Sequence, residues 1–444
     1  MAASAIRFAA VPRTLLPAWV AEAGFVLFLL LVFVGIQPFN VRDYATLAIG
    51  ESGFAGEGDS LRQVLYLASL AMIALAAFDK RGVRAFLGVP IPLALLLGWA
   101  CLSALWADAP GVTFRRAGLE IVVVLSAILS VDTLGFERSL RLLRNVLGCV
   151  LIANWISIPL IPQAVHQAGE MDPSLVGDWR GMFFHKNIAG SATALSAIIF
   201  LYYAVERKSR ADLALLVAAI GFVVMTHSKS SIGLLPIAIF FGSIYRLAWQ
   251  RGIDRAIVSV VLAVVIVAGV TLAIIDSGLI ARALENPAEF TGRAQIWQAE
   301  VAFIHDHLLL GSGFGTFADT GAASPLRNYV AAIWVQNISH GHNAYLQLFV
   351  TMGSVGLALA MIAFVIQPFM AYVTMKPQAI VLAAPLFTIF CFMILHNFLE
   401  SDFLEGDGPA WVIYLISLAL LRHLPDAAEE KFVPRPAGTA WLAK

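Results

Sequence analysis

Ser339-His340-Gly341-His342-Asn343-Ala344-Tyr345-Leu346-Gln347 is the stretch at which a long polar segment turns into an apolar run. Upstream, Asp276 to Asn343 is the longest part of the chain that no membrane-sized apolar window absorbs. Downstream, residues 344–367 are apolar for long enough to cross a hydrocarbon layer of ~30 Å as a helix. Further runs of that kind fall at 18–39, 61–78, 85–106, 117–134, 140–162, 187–205, 211–227, 231–249, 255–275, 379–397 and 410–422. The expected fold is therefore an all-α polytopic membrane protein of about twelve transmembrane helices, with one large extramembrane loop containing short helices. Residues 1–275 carry the first nine spans, 276–343 the large loop, 344–422 the last three spans and 423–444 a tail. Pro90, Pro92, Pro236 and Pro385 lie inside apolar runs, where kinks are expected.

Composition agrees. Of the 444 residues, 60% are hydrophobic and 13% charged, about half the charged share of soluble domains. The net charge is zero and the basic residues form no stripe, which argues against nucleic acid as a partner. Short basic connections such as Lys80-Arg81-Gly82-Val83-Arg84 and Glu206-Arg207-Lys208-Ser209-Arg210 mark the cytoplasmic side, together with both termini. The opposite loops are longer and acidic, with Glu400, Asp402, Glu405 and Asp407 in the last of them. Function is expected on that outer face. Cys101, Cys149 and Cys391 each sit inside an apolar run, which points to packing rather than to a disulfide or a metal site.

Three outer constellations carry candidate chemistry. In Thr291-Gly292-Arg293-Ala294-Gln295-Ile296-Trp297, Arg293 opens a helix whose apolar stripe is expected to run through Trp297, Val301, Ile304 and Leu308. A guanidinium beside unsatisfied backbone N–H groups suits an anion, although the same placement suits an arginine snorkelling to headgroups. Arg180, His185 and Lys186 bring three potential cations into the loop before the sixth span, either for an anionic ligand or as membrane-boundary anchors. Asn187 is expected to cap the following helix, and Gly190 and Ser191 to let a neighbour approach closely. Asn343 is expected to cap the helix after the large loop, with His342, Tyr345 and Phe349 on one face. His342 could act as a base, hydrogen-bond a phosphate, or simply be satisfied by its neighbours. Gly311-Ser312-Gly313-Phe314-Gly315 lacks the preceding strand of a phosphate loop and is expected to be a helix end and turn. His305, His307, His340 and His342 fit no zinc spacing, and no Gly-x-Ser-x-Gly elbow is present.

At these residues the sequence resembles the O-antigen ligase and polysaccharide polymerase superfamily, and within it the ExoQ-type exopolysaccharide production proteins. The resemblance rests on Arg180-Gly181-Met182-Phe183-Phe184-His185-Lys186-Asn187, Gly292-Arg293-Ala294-Gln295-Ile296-Trp297, Leu310-Gly311-Ser312-Gly313-Phe314-Gly315 and His342-Asn343-Ala344-Tyr345-Leu346-Gln347, with His396-Asn397-Phe398-Leu399-Glu400-Ser401 as a weaker piece. It implies a metal-independent glycosyltransferase of the C-type fold class, without cofactor, in a bacterial inner membrane. Its donor would be an undecaprenyl-diphosphate-linked oligosaccharide, its acceptor a glycan, and its surroundings the lipid bilayer and other polysaccharide synthesis or export proteins. The superfamily's arginines from two periplasmic loops correspond to Arg180 and Arg293, and its periplasmic histidine to His342, with His340 two residues away. His185, Lys186, Asn187, Asn343, Tyr345, His340 and Glu400 are the accompanying candidate substrate contacts, and Glu400 or Asp402 could replace His342 as base. Polymerisation of repeat units is the first reading and ligation of glycan to a lipid A core the second. A lipid-linked-sugar flippase is the rival of another class, disfavoured because the spans hold little charge apart from Glu22 and Glu120.

Overall fold

The computed structural model describes residues 15–39, 60–168, 170, 173–250, 293–318, 320–331, 333–336 and 341–432. Its helices are α1 (Trp19–Phe33), α2 (Ser60–Arg81), α3 (Ile91–Leu102), α4 (Pro110–Leu134), α5 (Phe136–Leu160), α6 (Lys186–Glu206), α7 (Arg210–Met225), α8 (Lys229–Gln250), α9 (Arg293–Asp306), α10 (Ala344–Val373), α11 (Ile380–His396) and α12 (Pro409–Phe432). No strand occurs among the described residues, only an isolated bridge between Val165 and Trp179. Among the described residues seven helices are long and apolar enough to cross a membrane, and Trp19–Phe33, Ile91–Leu105 and Pro409–Leu424 are shorter apolar helices. The chain is thus an all-α polytopic membrane protein. Every apolar run expected from the sequence coincides with a helix except 255–275, which lies outside the described residues.

Burial sorts these helices into centre and rim. In Pro377–His396 and Lys186–Glu206, 83% and 72% of the apolar window is buried, whereas Ser60–Gly88 and Lys229–Leu247 bury only 28%. The central helix α6 begins with a run of small residues, so its neighbours can come close. A Cβ on Gly190 would lie 2.6 Å from the Cβ of Ser228, as the Gly190-Ser191 pair leads one to expect.

Polar contacts between helices gather at two ends. At one end Glu22 pairs with Arg138, Glu137 with Arg207, and Asp132 with His423, while Lys80 donates to the Thr133 carbonyl. At the other, Arg62 and Tyr66 reach Asp407, Trp106 donates to the Leu310 carbonyl, and Arg116 donates to the Gly315 carbonyl. The first end holds the short basic connections and the second the sequence's candidate residues.

The kinks are not all where proline places them. Pro90 and Pro92 open α3 after a 3₁₀ stretch, Gly82–Gly88, rather than bending a continuous span. Proline fits the first helical turn, where its missing N–H has no partner to lose. Pro236 and Pro385 do lie within helices. A break without proline occurs in α10 at Gly353, whose φ of 65° and ψ of −171° are non-helical. The glycine-rich turn after α9 fills this break. Ser312 and Gly313 donate to the Val350 and Thr351 carbonyls, Ser354 donates to that of Leu308, and the Trp99 indole donates to that of Met352. A backbone opened at membrane depth must be satisfied by protein, and this turn does so. Gly353→Ala should cost about 3 kcal/mol or more, because this φ/ψ region is essentially reserved for glycine. The new Cβ would also lie 2.0 Å from the Leu309 oxygen. A thermal melt of the purified variant in detergent checks this, and an unchanged midpoint would contradict it.

Candidate active site

Three segments far apart in sequence meet at the end opposite the short basic connections. The first is the loop between α5 and α6. Its two arms pair through Val165 and Trp179, and the N–H groups of Arg180 and Gly181 both donate to the Ala164 carbonyl. Arg180 pins this loop. Its Nε donates to the Gln163 carbonyl at 2.7 Å, its Nη1 to that of Phe184 at 3.2 Å, and its Nη2 lies 3.4 Å from Glu170 Oε1 without a hydrogen bond. With 2% of it exposed, the side chain lies beneath the surface rather than on it.

The start of α6 is built from histidines. His166 Nε2 accepts the Lys186 N–H at 3.2 Å, so its proton sits on Nδ1, which faces Glu170 Oε2 at 2.5 Å. Burial works against the Glu170 charge, but the Gln167 N–H, His166 and Arg180 together hold its carboxyl below the ordinary range. The helix cap is His185 and not Asn187: His185 Nδ1 accepts the Asn187 N–H at 3.2 Å. Burial, followed by the neighbouring His166, pushes His185 down to about 4, so it stays a neutral acceptor. Freed from capping, Asn187 turns its amide outward and donates to Glu400 Oε1 at 2.9 Å. Lys186 pairs with Asp178 at 2.5 Å, a carboxylate that also holds His227.

The start of α10 supplies the second segment and residues 397–400 the third. Asn343 caps α10, accepting from the N–H groups of Tyr345 and Leu346 and donating to the Phe398 carbonyl. The Ala344 N–H donates to the Asn397 carbonyl at 2.9 Å. These bonds bring Glu400 Oε2 to 3.0 Å from His342 Nδ1. Glu400 therefore joins α6 to α10, and its side chain is 8% exposed against 27% for His342. With its proton on Nδ1 toward Glu400, His342 would carry its lone pair on Nε2, the arrangement a general base needs. His342 has φ of 53° and precedes the cap, so it is not on a helical face with Tyr345 and Phe349. Tyr345 turns inward, donating to the Ile394 carbonyl. Asp402 is engaged by His396 at 2.6 Å.

The helix α9 supports this site from the side. Its buried face is Ile296, Ala299, Glu300 and Phe303, while Val301 and Leu308 are more than half exposed. The expected stripe through Val301 and Leu308 is thus the outward one, since both faces are apolar at helical spacing and only packing distinguishes them. The Trp297 indole donates to the Gly341 carbonyl at 2.8 Å, next to His342. Glu300 is fully buried against Gly341, and neither of its oxygens has a hydrogen-bond partner among the described residues. A Cβ on Gly341 would lie 1.9 Å from Glu300 Oε1, so a larger residue there would have to displace the Glu300 carboxyl. The backbone of Arg293 begins α9, and its side chain lies outside the described residues, as do Thr291, Gly292 and His340.

Burial raises Glu300 from 4.5 to about 8, so it is protonated at neutral pH. The folded chain keeps this proton where the unfolded chain has lost it, so stability falls as pH rises from about 4.5 to about 8. Glu300→Gln should abolish that slope. The melting temperature of the parent should drop relative to the variant across this window, and parallel curves would contradict the assignment.

His166, Glu170 and Asp178 belong to this network, and Glu300 packs beside it, without any sequence motif announcing them. Among the described residues no group of three or more His, Cys, Asp or Glu side chains is arranged to hold a metal ion. An open groove of about 660 Å³ along Trp155, Leu213 and Val217 and a cavity of about 700 Å³ at the basic end both lie away from His342. The site is defined by its hydrogen-bonded side chains rather than by volume. No curated protein matches the chain. Residues 214–361, which include Arg293 and His342, match the family described as O-antigen ligase (Wzy_C). Over this segment the chain is similar to the O-antigen ligase family.

Proposed function

We propose that the chain polymerises undecaprenyl-diphosphate-linked oligosaccharide repeat units at the periplasmic face of the inner membrane, in exopolysaccharide biosynthesis. The observation that carries this reading is the pairing of His342 with the nearly buried Glu400 beside the start of α6. Glu400 orients the imidazole, and Nε2 removes the proton from an acceptor sugar hydroxyl. The hydroxyl oxygen forms a bond to the anomeric carbon of the donor, and the bond from that carbon to the diphosphate oxygen breaks. The lipid diphosphate leaves with its charge stabilised by Arg293 at the start of α9. Arg180 supports the same side from below by fixing the loop that carries His185, Lys186 and Asn187. Lipid diphosphate is a good leaving group, so a guanidinium together with the helix terminus can serve in place of a divalent ion. Turnover of purified protein with lipid-linked donor in excess EDTA tests this, and a requirement for an added divalent metal would refute it.

Ligation onto a phosphorylated lipid A core is the second reading. Repulsion from the last acidic loop is weaker than its count of acids suggests, because Asp407 is paired with Arg62 while Glu400 and Asp402 are hydrogen-bonded to His342 and His396. The cations favour the polymerase: Arg62, Arg116, Arg180 and Lys186 are all engaged by protein partners and are not held ready for the phosphates of such a core. A neutral or weakly charged sugar acceptor suits this surface, hence a polymerase. A deletion strain should lose high-molecular-weight exopolysaccharide and keep its lipopolysaccharide, whereas normal exopolysaccharide with uncapped core would favour the ligase. Placement of the basic end in the cytoplasm rests on its short Lys/Arg-rich connections.

A further inference from the structure

We propose that the cavity at the basic end of the helices, between the start of α5 and the ends of α2 and α4, binds the phosphate headgroup of an anionic phospholipid. This cavity of about 700 Å³ is lined by Lys80, Arg138, Arg141, Glu22, Glu137 and His423, with Leu134, Phe136 and Leu142. Its acids are already matched. Glu22 pairs with Arg138, Glu137 with Arg207 from outside the cavity, and His423 with Asp132.

Among the described residues, two of its cations have no opposing charge. There Lys80 Nζ meets only the Thr133 carbonyl, at 2.7 Å, and stands within the field of Arg81 and Arg138. Arg141 is exposed and has neither an ion pair nor a hydrogen bond among the described residues. Like charges gathered in a concavity favour a bound anion. The apolar part of the wall selects among anions. Leu134, Phe136 and Leu142 offer a free phosphate nothing, but they suit the glycerol and upper acyl chain of a lipid. The cavity also opens where spanning helices end, the depth at which phospholipid phosphates lie. The proton removal assigned to His342 takes place at the opposite end, so this proposal does not depend on the transferase reading.

Native mass spectrometry of the full chain in detergent, with added phosphatidylglycerol or phosphatidylcholine, tests it. Phosphatidylglycerol should be retained in preference. Removing two cations worth about 1 kcal/mol each, in Lys80→Ala/Arg141→Ala, should weaken its retention roughly thirtyfold. Should the double variant fail to fold, Arg141→Ala alone should weaken it roughly fivefold, since that side chain holds no structural bond. Lys208→Ala, an exposed cation at the same end but off the cavity, should leave retention unchanged. Equal retention of the two lipids, or an equal loss in Lys208→Ala, would overturn the proposal. Displacement of phosphatidylglycerol by inorganic phosphate at equal concentration would overturn the lipid assignment, because the wall would then be reading the phosphate alone.

Discussion

His342→Ala is expected to lower glycan transfer by roughly a hundredfold to ten-thousandfold, the usual contribution of a positioned general base. The imidazole ends a chain of hydrogen-bonded groups that runs from Asn187 through the buried Glu400. Since His342 holds a φ of 53°, an alanine there adds strain of its own, about 1 kcal/mol. His342→Asn separates the two effects, because asparagine tolerates this backbone but cannot take a proton at neutral pH. Both variants should lose transfer to a similar degree, while the asparagine variant should keep the parent's melting temperature. Glu400→Gln should lose less, roughly tenfold to a hundredfold, since an amide oxygen still accepts from Nδ1 but no longer stabilises the imidazolium. Transfer by His342→Asn at the parental rate would remove His342 from the mechanism.

The spans are legible in the sequence because their length is set by the bilayer and their composition by the absence of water. The interruptions are less so. Nothing local distinguishes Gly353, which breaks α10, from other glycines in apolar runs. Its role appears only once the turn Leu308–Gly313 is seen to supply the missing donors. In α9, Ile296, Ala299 and Phe303 compete with Trp297, Val301 and Ile304 for the buried face, and a charged residue at position 300 argues for the wrong one. Burial of Glu300 without a partner is affordable only because the group can hold its proton.

At the site, the Asn343 cap is legible because a short acceptor side chain directly precedes an apolar run. The His185 cap is not, since Asn187 is intrinsically the better candidate and is displaced only by its bond to Glu400, 213 positions away. The pairing of His342 with Glu400 lies across 58 positions and follows from backbone bonds between Ala344 and residues 397–400. Local patterns name such residues one at a time and cannot say which of them meet.

The last expected result concerns Arg293. Its backbone opens α9, where the first four N–H groups have no partner within the helix and present a partial positive charge. One turn further on, about 6 Å along the axis, Trp297 donates to the Gly341 carbonyl next to His342. The first turn of α9 is therefore tied, through Trp297, to the backbone beside the proposed base. A guanidinium at this position would add two parallel donors to the helix terminus, which matches the oxygens of a leaving diphosphate. Removing a donor of developing negative charge costs roughly a hundredfold to a thousandfold in turnover. Arg293→Ala should show a loss of that size in kcat, because the charge it meets grows only as the bond breaks. Arg293→Lys should recover little of it, since an ammonium keeps the charge but loses the fork. The Trp297 indole and the apolar face from Ile296 to Phe303 anchor α9 without Arg293, so the melting temperature should be unchanged. An alanine variant with parental kcat, or one whose lost activity tracks a lost fold, would show that the arginine serves the membrane boundary and not the leaving group.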